Sequence, residues 1–162
     1  EIVTKPEVYR RGLWHAAAHV WVLNSKGELL IQRRALDKET SPGCWDISVA
    51  GHLSSGNSVL EGAVREFEEE IGITIDQSEL EFLGVQTSES LHQNGAYINK
   101  EFHHVFIVTK DISIESMTLQ VEEVMEVKYI PWQELKQKTE SGDKTFVPHP
   151  KEYKLLFEYL SR

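Results

Sequence analysis

Cys44 is the chain's single cysteine, so no internal disulfide can form. That excludes a disulfide-stapled scaffold and fits a reducing, cytoplasmic compartment. Long apolar runs are missing too: nothing approaches the roughly 18 consecutive apolar residues of a membrane span. No secretory pattern is visible, although a start at Glu1 rather than Met leaves a preceding targeting segment open. Low-complexity stretches, linker-like breaks and internal repeats are absent, so residues 1–162 read as a single domain. Basic residues are scarce, 17 against 26 acidic, for a net charge of −9. That balance argues against nucleic acid or an anionic membrane as partner. A small anionic substrate stays compatible if metal cations stand between it and the carboxylates. Monomer and homodimer are both open.

What is present is an interleaving of strands and helices. Residues 17–23 and 28–34 flank Asn24-Ser25-Lys26-Gly27 and read as a β-hairpin. Pro42-Gly43 marks a turn before a short strand over 45–50. A helix is expected from Ser58 to Ile71, stopped by Gly72. Strands are expected over 79–88, 101–109 and 126–130, with Gln93-Asn94-Gly95 as the turn between the first two. Pro131 opens another helix, and 150–160 carries Tyr153, Leu156, Phe157 and Leu160 at helical spacing. The pattern implies an α/β fold, a mixed sheet covered by helices.

The most informative stretch is GHLSSGNSVLEGAVREFEEEIGI, from Gly51 to Ile73. Ser58 and Glu61 form a capping-box pattern. Val59, Leu60, Ala63, Val64, Phe67 and Ile71 make an apolar stripe for the sheet. Glu66, Glu69 and Glu70 stand at i, i+3 and i+4 and neighbour one another on a different face, while Glu68 points to solvent. Arg65 is spaced to reach Glu61 and Glu69. A solvated charged face is the bland alternative. Against it, Glu66 and Glu70 are like charges at i,i+4, and all three carboxylates lie toward the negative end of the helix dipole. Divalent cations would relieve both penalties, and oxygen-only ligands suit Mg²⁺ or Mn²⁺.

The stretch resembles the signature of the Nudix hydrolases. Gly51 matches its first glycine, and Arg65-Glu66-Phe67-Glu68-Glu69-Glu70-Ile71-Gly72-Ile73 matches its second half. Asn57 departs from it, standing where the pattern has Glu; beside a helix N-cap this reads as a structural substitution. The resemblance implies an α/β/α sandwich and Mg²⁺-dependent hydrolysis of a nucleoside diphosphate derivative or a related small diphosphate. It assigns the metal to Glu66, Glu69, Glu70 and Gly51, and the chemistry to Glu66, Glu69 and Arg65. The general base is Glu66 or Glu69, with Glu101 as the candidate from outside the helix. Residues 12–56 also resemble the branch near isopentenyl diphosphate isomerase. Of that enzyme's metal ligands, His15, His52 and Glu101 match, while two others fall on Val8 and Asn99. Its catalytic cysteine falls on Ala50, which argues for hydrolysis over isomerisation. A noncatalytic binding protein of the same fold is the third reading.

The remaining candidates have competing readings. His15 and His19 mimic a helical zinc motif, but on a strand they lie too far apart for one ion. His52 and His15 are placed in the substrate cleft or in a packed, hydrogen-bonded role. Of His103 and His104, and of Arg33 and Arg34, alternation lets one of each pair face inward; Arg34 is the phosphate candidate. Glu101 either faces the helix cluster or is a surface charge. Glu122 and Glu123 read as solvated, with a base as the alternative, and the four tryptophans read as core. Specificity is expected from loops 35–44, 88–100 and 140–150.

Overall fold

The computed structural model describes residues 2–162. Seven strands form one mixed sheet: β1 (Trp14–Leu23), β2 (Glu28–Arg34), β3 (Trp45–Asp46), β4 (Val49–His52), β5 (Glu81–His92), β6 (Tyr97–Thr109) and β7 (Val124–Pro131). The main path runs β3-β2-β1-β6-β5, with β4 paired to β1 and β7 to β2. β1 and β6 are parallel along their length, and every other pairing is antiparallel. Helices α1 (Lys5–Arg11), α2 (Val59–Ile71), α3 (Trp132–Glu140) and α4 (Pro150–Leu160) complete the chain. None of them is long and apolar enough to cross a membrane.

Two buried clusters lie on opposite faces of the sheet. Val20, Val22 and Phe106 pack against Phe67 and Ile71 of α2. Trp21, Val105 and Ile107 pack against Leu135 of α3 and Leu156 and Phe157 of α4. Alternation along β1 sends neighbouring side chains to opposite layers, which makes the fold an α/β/α sandwich.

The expected hairpin exists, but β1 and β2 pair only at Leu23↔Leu29 and then diverge. β4 occupies the edge of β1 that this opens. Ser48 bridges the split: its hydroxyl accepts the Val22 N–H and donates to the Leu30 carbonyl. The strand expected over 45–50 is therefore two short strands on different partners.

α2 follows its local sequence closely. Ser58 and Glu61 make the reciprocal capping box, and Gly72 closes the helix in the left-handed region at φ 71°. Two other expectations need correction. The segment 88–100 is not a free loop, because Ser88↔Glu101 through His92↔Tyr97 continue the β5–β6 ladder. Its polar side chains gave no alternating signal, since this end of the hairpin buries little on either face. α1, unassigned from sequence, starts with Pro6 in its first turn and ends at Gly12, φ 63°.

Candidate active-site cleft

One cleft of about 1200 Å³ gathers most of the residues singled out from the sequence. Gly51, His52, Arg65, Glu66, Glu69, Glu70, Arg34 and Glu101 all line it. On the α2 side, Glu66 lies against β4: a Cβ at Gly51 would come within 2.2 Å of Glu66 Cδ, so only glycine leaves room for this carboxylate. Arg65 stands between two of the acids, with Nη2 3.5 Å from Glu66 Oε1 and Nε 3.6 Å from Glu69 Oε1. No contact joins it to Glu61, whose carboxylate is engaged by the Ser58 N–H.

The three glutamates differ in environment more than their spacing suggests. Glu69 is half exposed, whereas Glu70 is buried, with Oε1 accepting from Gln32 Nε2 at 3.0 Å and from the Ala50 N–H at 3.1 Å. Burial pushes the Glu70 carboxyl up to about 8 against these two hydrogen bonds, with the charges of Glu66 and Glu123 adding to the rise. Burial and the charge of Glu69 also raise Glu66. Among the described residues, the groups whose ligand atoms converge within 4.8 Å are His15, His52 and Glu101, and His19, His103 and Glu152. The α2 acids do not form such a group, because Glu70 turns inward under Gln32 while Glu69 stays at the surface.

Glu101, the candidate base from outside the helix, lines the cleft among histidines. It faces three histidines: His52 Nε2 at 2.6 Å, His103 Nε2 at 2.5 Å and His15 Nε2 at 3.4 Å. Burial works to raise its pKa, but the hydrogen bonds from His103, His15 and His52 outweigh it and hold the carboxylate far below its usual range. In the same cleft Asn99 Oδ1 is buried without a hydrogen bond, and His15 Nε2, also buried, has only its long 3.4 Å approach to Glu101. His15 and His19 fall into separate groups, as strand geometry requires.

Arg34 faces the cleft and Arg33 does not, as alternation requires, but Arg34 is already engaged. It donates to Asp46 Oδ2, to the Thr40 carbonyl and to Thr40 Oγ1. His103 likewise is buried at the cleft, and His104 lies outside it. Glu122 is exposed and Glu123 partly so, as expected, but both stand at the cleft, where Glu123 pairs with Lys38. Lys5 and Tyr9 on α1, and His149 and Glu152 at the start of α4, were not singled out from sequence. Tyr9 reaches His52 Nε2 at 3.2 Å, and Lys5 lines the cleft. Glu152 is fully enclosed, accepting from His19 Nδ1 at 2.8 Å and Trp21 Nε1 at 3.1 Å. His149 Nε2 donates to Asp46 Oδ1 at 2.8 Å.

The NUDIX domain family matches residues 13–150. "Nudix hydrolase 3" of Arabidopsis thaliana is 41% identical over 98% of this chain, which spans only 21% of the length of that relative. An isopentenyl-diphosphate Delta-isomerase of Jannaschia sp. is 31% identical over 90% of this chain and 80% of its own. The crystal structure of a MutT protein from Methanosarcina mazei Go1 superposes with a TM-score of 0.68, covering 92% of this chain and 94% of that one at 22% identity. At that identity the superposition speaks for the fold alone.

Proposed function

Because this chain belongs to the NUDIX domain family, we propose that it is a Mg²⁺-dependent hydrolase. It cleaves the diphosphate (pyrophosphate) bond of a nucleoside diphosphate derivative or related small diphosphate. The observation that carries this reading is the row of α2 carboxylates on the wall of the cleft, seated against a glycine whose Cβ would collide with Glu66.

Glu66, Glu69, Glu70 and the Gly51 carbonyl are the proposed holders of Mg²⁺, with Mn²⁺ as an alternative. The donor set fits, being all oxygen. The raised Glu70 carboxyl also fits, since a bound cation favours the ionised form. When bound, the metal neutralises charge on the phosphoryl oxygens and polarises the attacking water. Glu66 or Glu69 takes the water proton. Glu66 is the more enclosed of the two, seated against Gly51. Arg65 holds those two acids apart at ion-pair distance and offers its remaining N–H groups to the diphosphate. Arg34, though tied to Asp46, adds positive charge to the same cleft. The single cysteine accords with a cytoplasmic setting.

The isomerase reading has one observation in its favour, the convergence of His15, His52 and Glu101. It lacks a thiol at Ala50, and we rank it second. Both are read by one experiment: the protein with Mg²⁺ and a panel of nucleotide sugars, dinucleotides, nucleoside di- and triphosphates and isopentenyl diphosphate, followed by phosphorus NMR. The expected result is cleavage that requires metal and disappears in Glu69→Gln and Glu70→Gln. Double-bond migration without phosphate release would instead establish the isomerase.

A further inference from the structure

Away from the α2 acids, the cleft ends on a donor set of a different kind. His19 on β1, His103 on β6 and Glu152 on α4 bring one ligand atom each to within 4.8 Å of one another. They are 5%, 5% and 2% exposed. Strand geometry explains the meeting. β1 and β6 are parallel with His19 opposite Val105, so His19 and His103 stand two residues apart in register on one face. Their rings stack with centroids 4.1 Å apart. The first turn of α4 carries Glu152 onto the pair, and its Oε2 accepts from His19 Nδ1 at 2.8 Å. These are not the ligands that the isomerase resemblance implies, since His15, His52 and Glu101 converge as a separate group. Glu101 stands between the two groups, with Oε1 toward His15 and His52 and Oε2 toward His103.

The set is built to hold a cation. Its members are fixed from behind: Trp21 Nε1–H holds the other oxygen of Glu152 at 3.1 Å, and His103 gives Nε2–H to Glu101 at 2.5 Å. Partners of this kind orient metal ligands and set their tautomers. With Nε2 carrying the proton, Nδ1 of His103 is left as a basic nitrogen on a buried ring. Enclosed carboxylates favour a counter-charge, and Arg34, which reaches this end of the cleft, is already paired with Asp46. Both imidazoles line the cleft and Glu152 lies enclosed behind them, so an ion has a way in and one position left open.

The donor types decide which ion. Two imidazole nitrogens and a carboxylate oxygen suit zinc and related transition metals, whereas the all-oxygen α2 set suits Mg²⁺. Bonds of about 2.0–2.2 Å put tetrahedral ligand atoms about 3.3 Å apart, so the group closes on an ion by side-chain shifts on the order of 1 Å. We propose that His19, His103 and Glu152 form a second metal site, for Zn²⁺ or a chemically similar transition-metal ion, with its fourth position open to water on the cleft side. The ion takes the place of the proton between His19 Nδ1 and Glu152, which leaves to solvent on binding. The site shares no ligand with the proposed Mg²⁺ holders, so it stands or falls apart from the hydrolase reading.

Co²⁺ is the probe, because it substitutes for Zn²⁺ and absorbs strongly in the visible when four-coordinate. Metal-free protein titrated with Co²⁺ in excess Mg²⁺ should develop a visible band that Zn²⁺ bleaches. Glu69→Gln and Glu70→Gln should leave the band in place. His19→Gln and Glu152→Gln should abolish it and weaken Zn²⁺ binding at least about 10²-fold, since even the outer partners of metal ligands are worth about 10–100-fold in affinity. Melting temperatures in EDTA report whether these variants stay folded, and Zn²⁺ should raise the melting temperature of the wild type but not theirs. Ring-nitrogen NMR of the wild type depends on no variant: Zn²⁺ should move the signals of His19 and His103 far more than those of His15 and His52. Absence of both the band and the Zn²⁺-induced shifts overturns the proposal. So does a band that survives His19→Gln and Glu152→Gln, or one lost in Glu70→Gln. Shifts confined to His15 and His52 overturn it too, by placing the ion in the other group.

Discussion

Gly51 and Glu66 share one volume: the carboxylate of Glu66 lies where a side chain at position 51 would have to go, with Cδ 2.2 Å and Cγ 2.5 Å from an added Cβ. Gly51→Ala must therefore push Glu66 aside. The displaced group is the end of a flexible side chain, so the fold should survive while activity falls. A displacement of about 1 Å at a reacting centre costs on the order of 10²-fold in rate, and we expect a loss of that size in kcat/KM. Gly51→Ala combined with Glu66→Gln should be no worse than Glu66→Gln alone. Additive losses in that double variant would mean that Gly51 acts through something other than Glu66.

Glu70, with its carboxyl raised to about 8, carries a proton at neutral pH that a cation must displace. Mg²⁺ affinity should rise by up to about tenfold per pH unit as pH increases, then level off above about pH 8. In the metal-free chain the same raised carboxyl has the opposite consequence. Stability is fullest below the ordinary carboxylate pKa and declines as pH climbs toward that raised value. Titration calorimetry in buffers of different ionisation enthalpy would detect the released proton. An affinity that is flat with pH, in the wild type as in Glu70→Gln, would remove Glu70 from the site.

Asp46 and His149 stabilise the fold within a defined pH window. Burial opposes both ionised forms, yet their mutual charge and hydrogen bond, with Arg34 added, hold Asp46 below the usual range and raise His149. The contribution of His149 is fully present below its ordinary pKa and is lost as pH rises through the raised one. That of Asp46 is present above its ordinary pKa and is lost as pH falls through the depressed one. The pair is therefore worth most between roughly pH 4 and 6.5. His149→Gln should lower the melting temperature most in that interval and least near pH 9. A deficit independent of pH would rule out the charge pair as its cause.

Glu152 joins α4 to the sheet by accepting from His19 and Trp21. Glu152→Ala leaves two buried donors without an acceptor, and breaking a buried pair in this way costs about 3–5 kcal/mol. Glu152→Gln keeps one acceptor oxygen and should cost about 1–2 kcal/mol. Urea unfolding separates the two cases. Equal and small effects would mean that water satisfies these donors and that the interior here is wetter than its geometry implies.

Where the determinant was local, the sequence was readable. Ser58, Glu61 and Gly72 bound α2 because caps and left-handed stops involve residues only a few positions apart. Arg34 and His103 face inward as strand alternation requires. The hairpin end over 88–100 was missed because its residues are at most half-buried and none joins the core, so no apolar alternation marks it. α1 was missed because seven residues, Lys5–Arg11, give too short a period to stand out.

By itself the sequence determined the helix with Glu66, Glu69 and Glu70 on one side, the glycine that admits Glu66, and the α/β succession that packs into a sandwich. These follow from backbone periodicity and steric size, which neighbouring residues decide among themselves. Tertiary structure alone decided that Glu70 is buried, with its carboxyl pushed up, while Glu69 is half exposed, and that Glu101 belongs to the histidines. It also brought Glu152 to His19, 133 residues away. The reason is physical: burial, and with it the cost of a charge, is set by atoms from every element packed around a group, and the split between β1 and β2 that opens the cleft exists only once β4 has entered it.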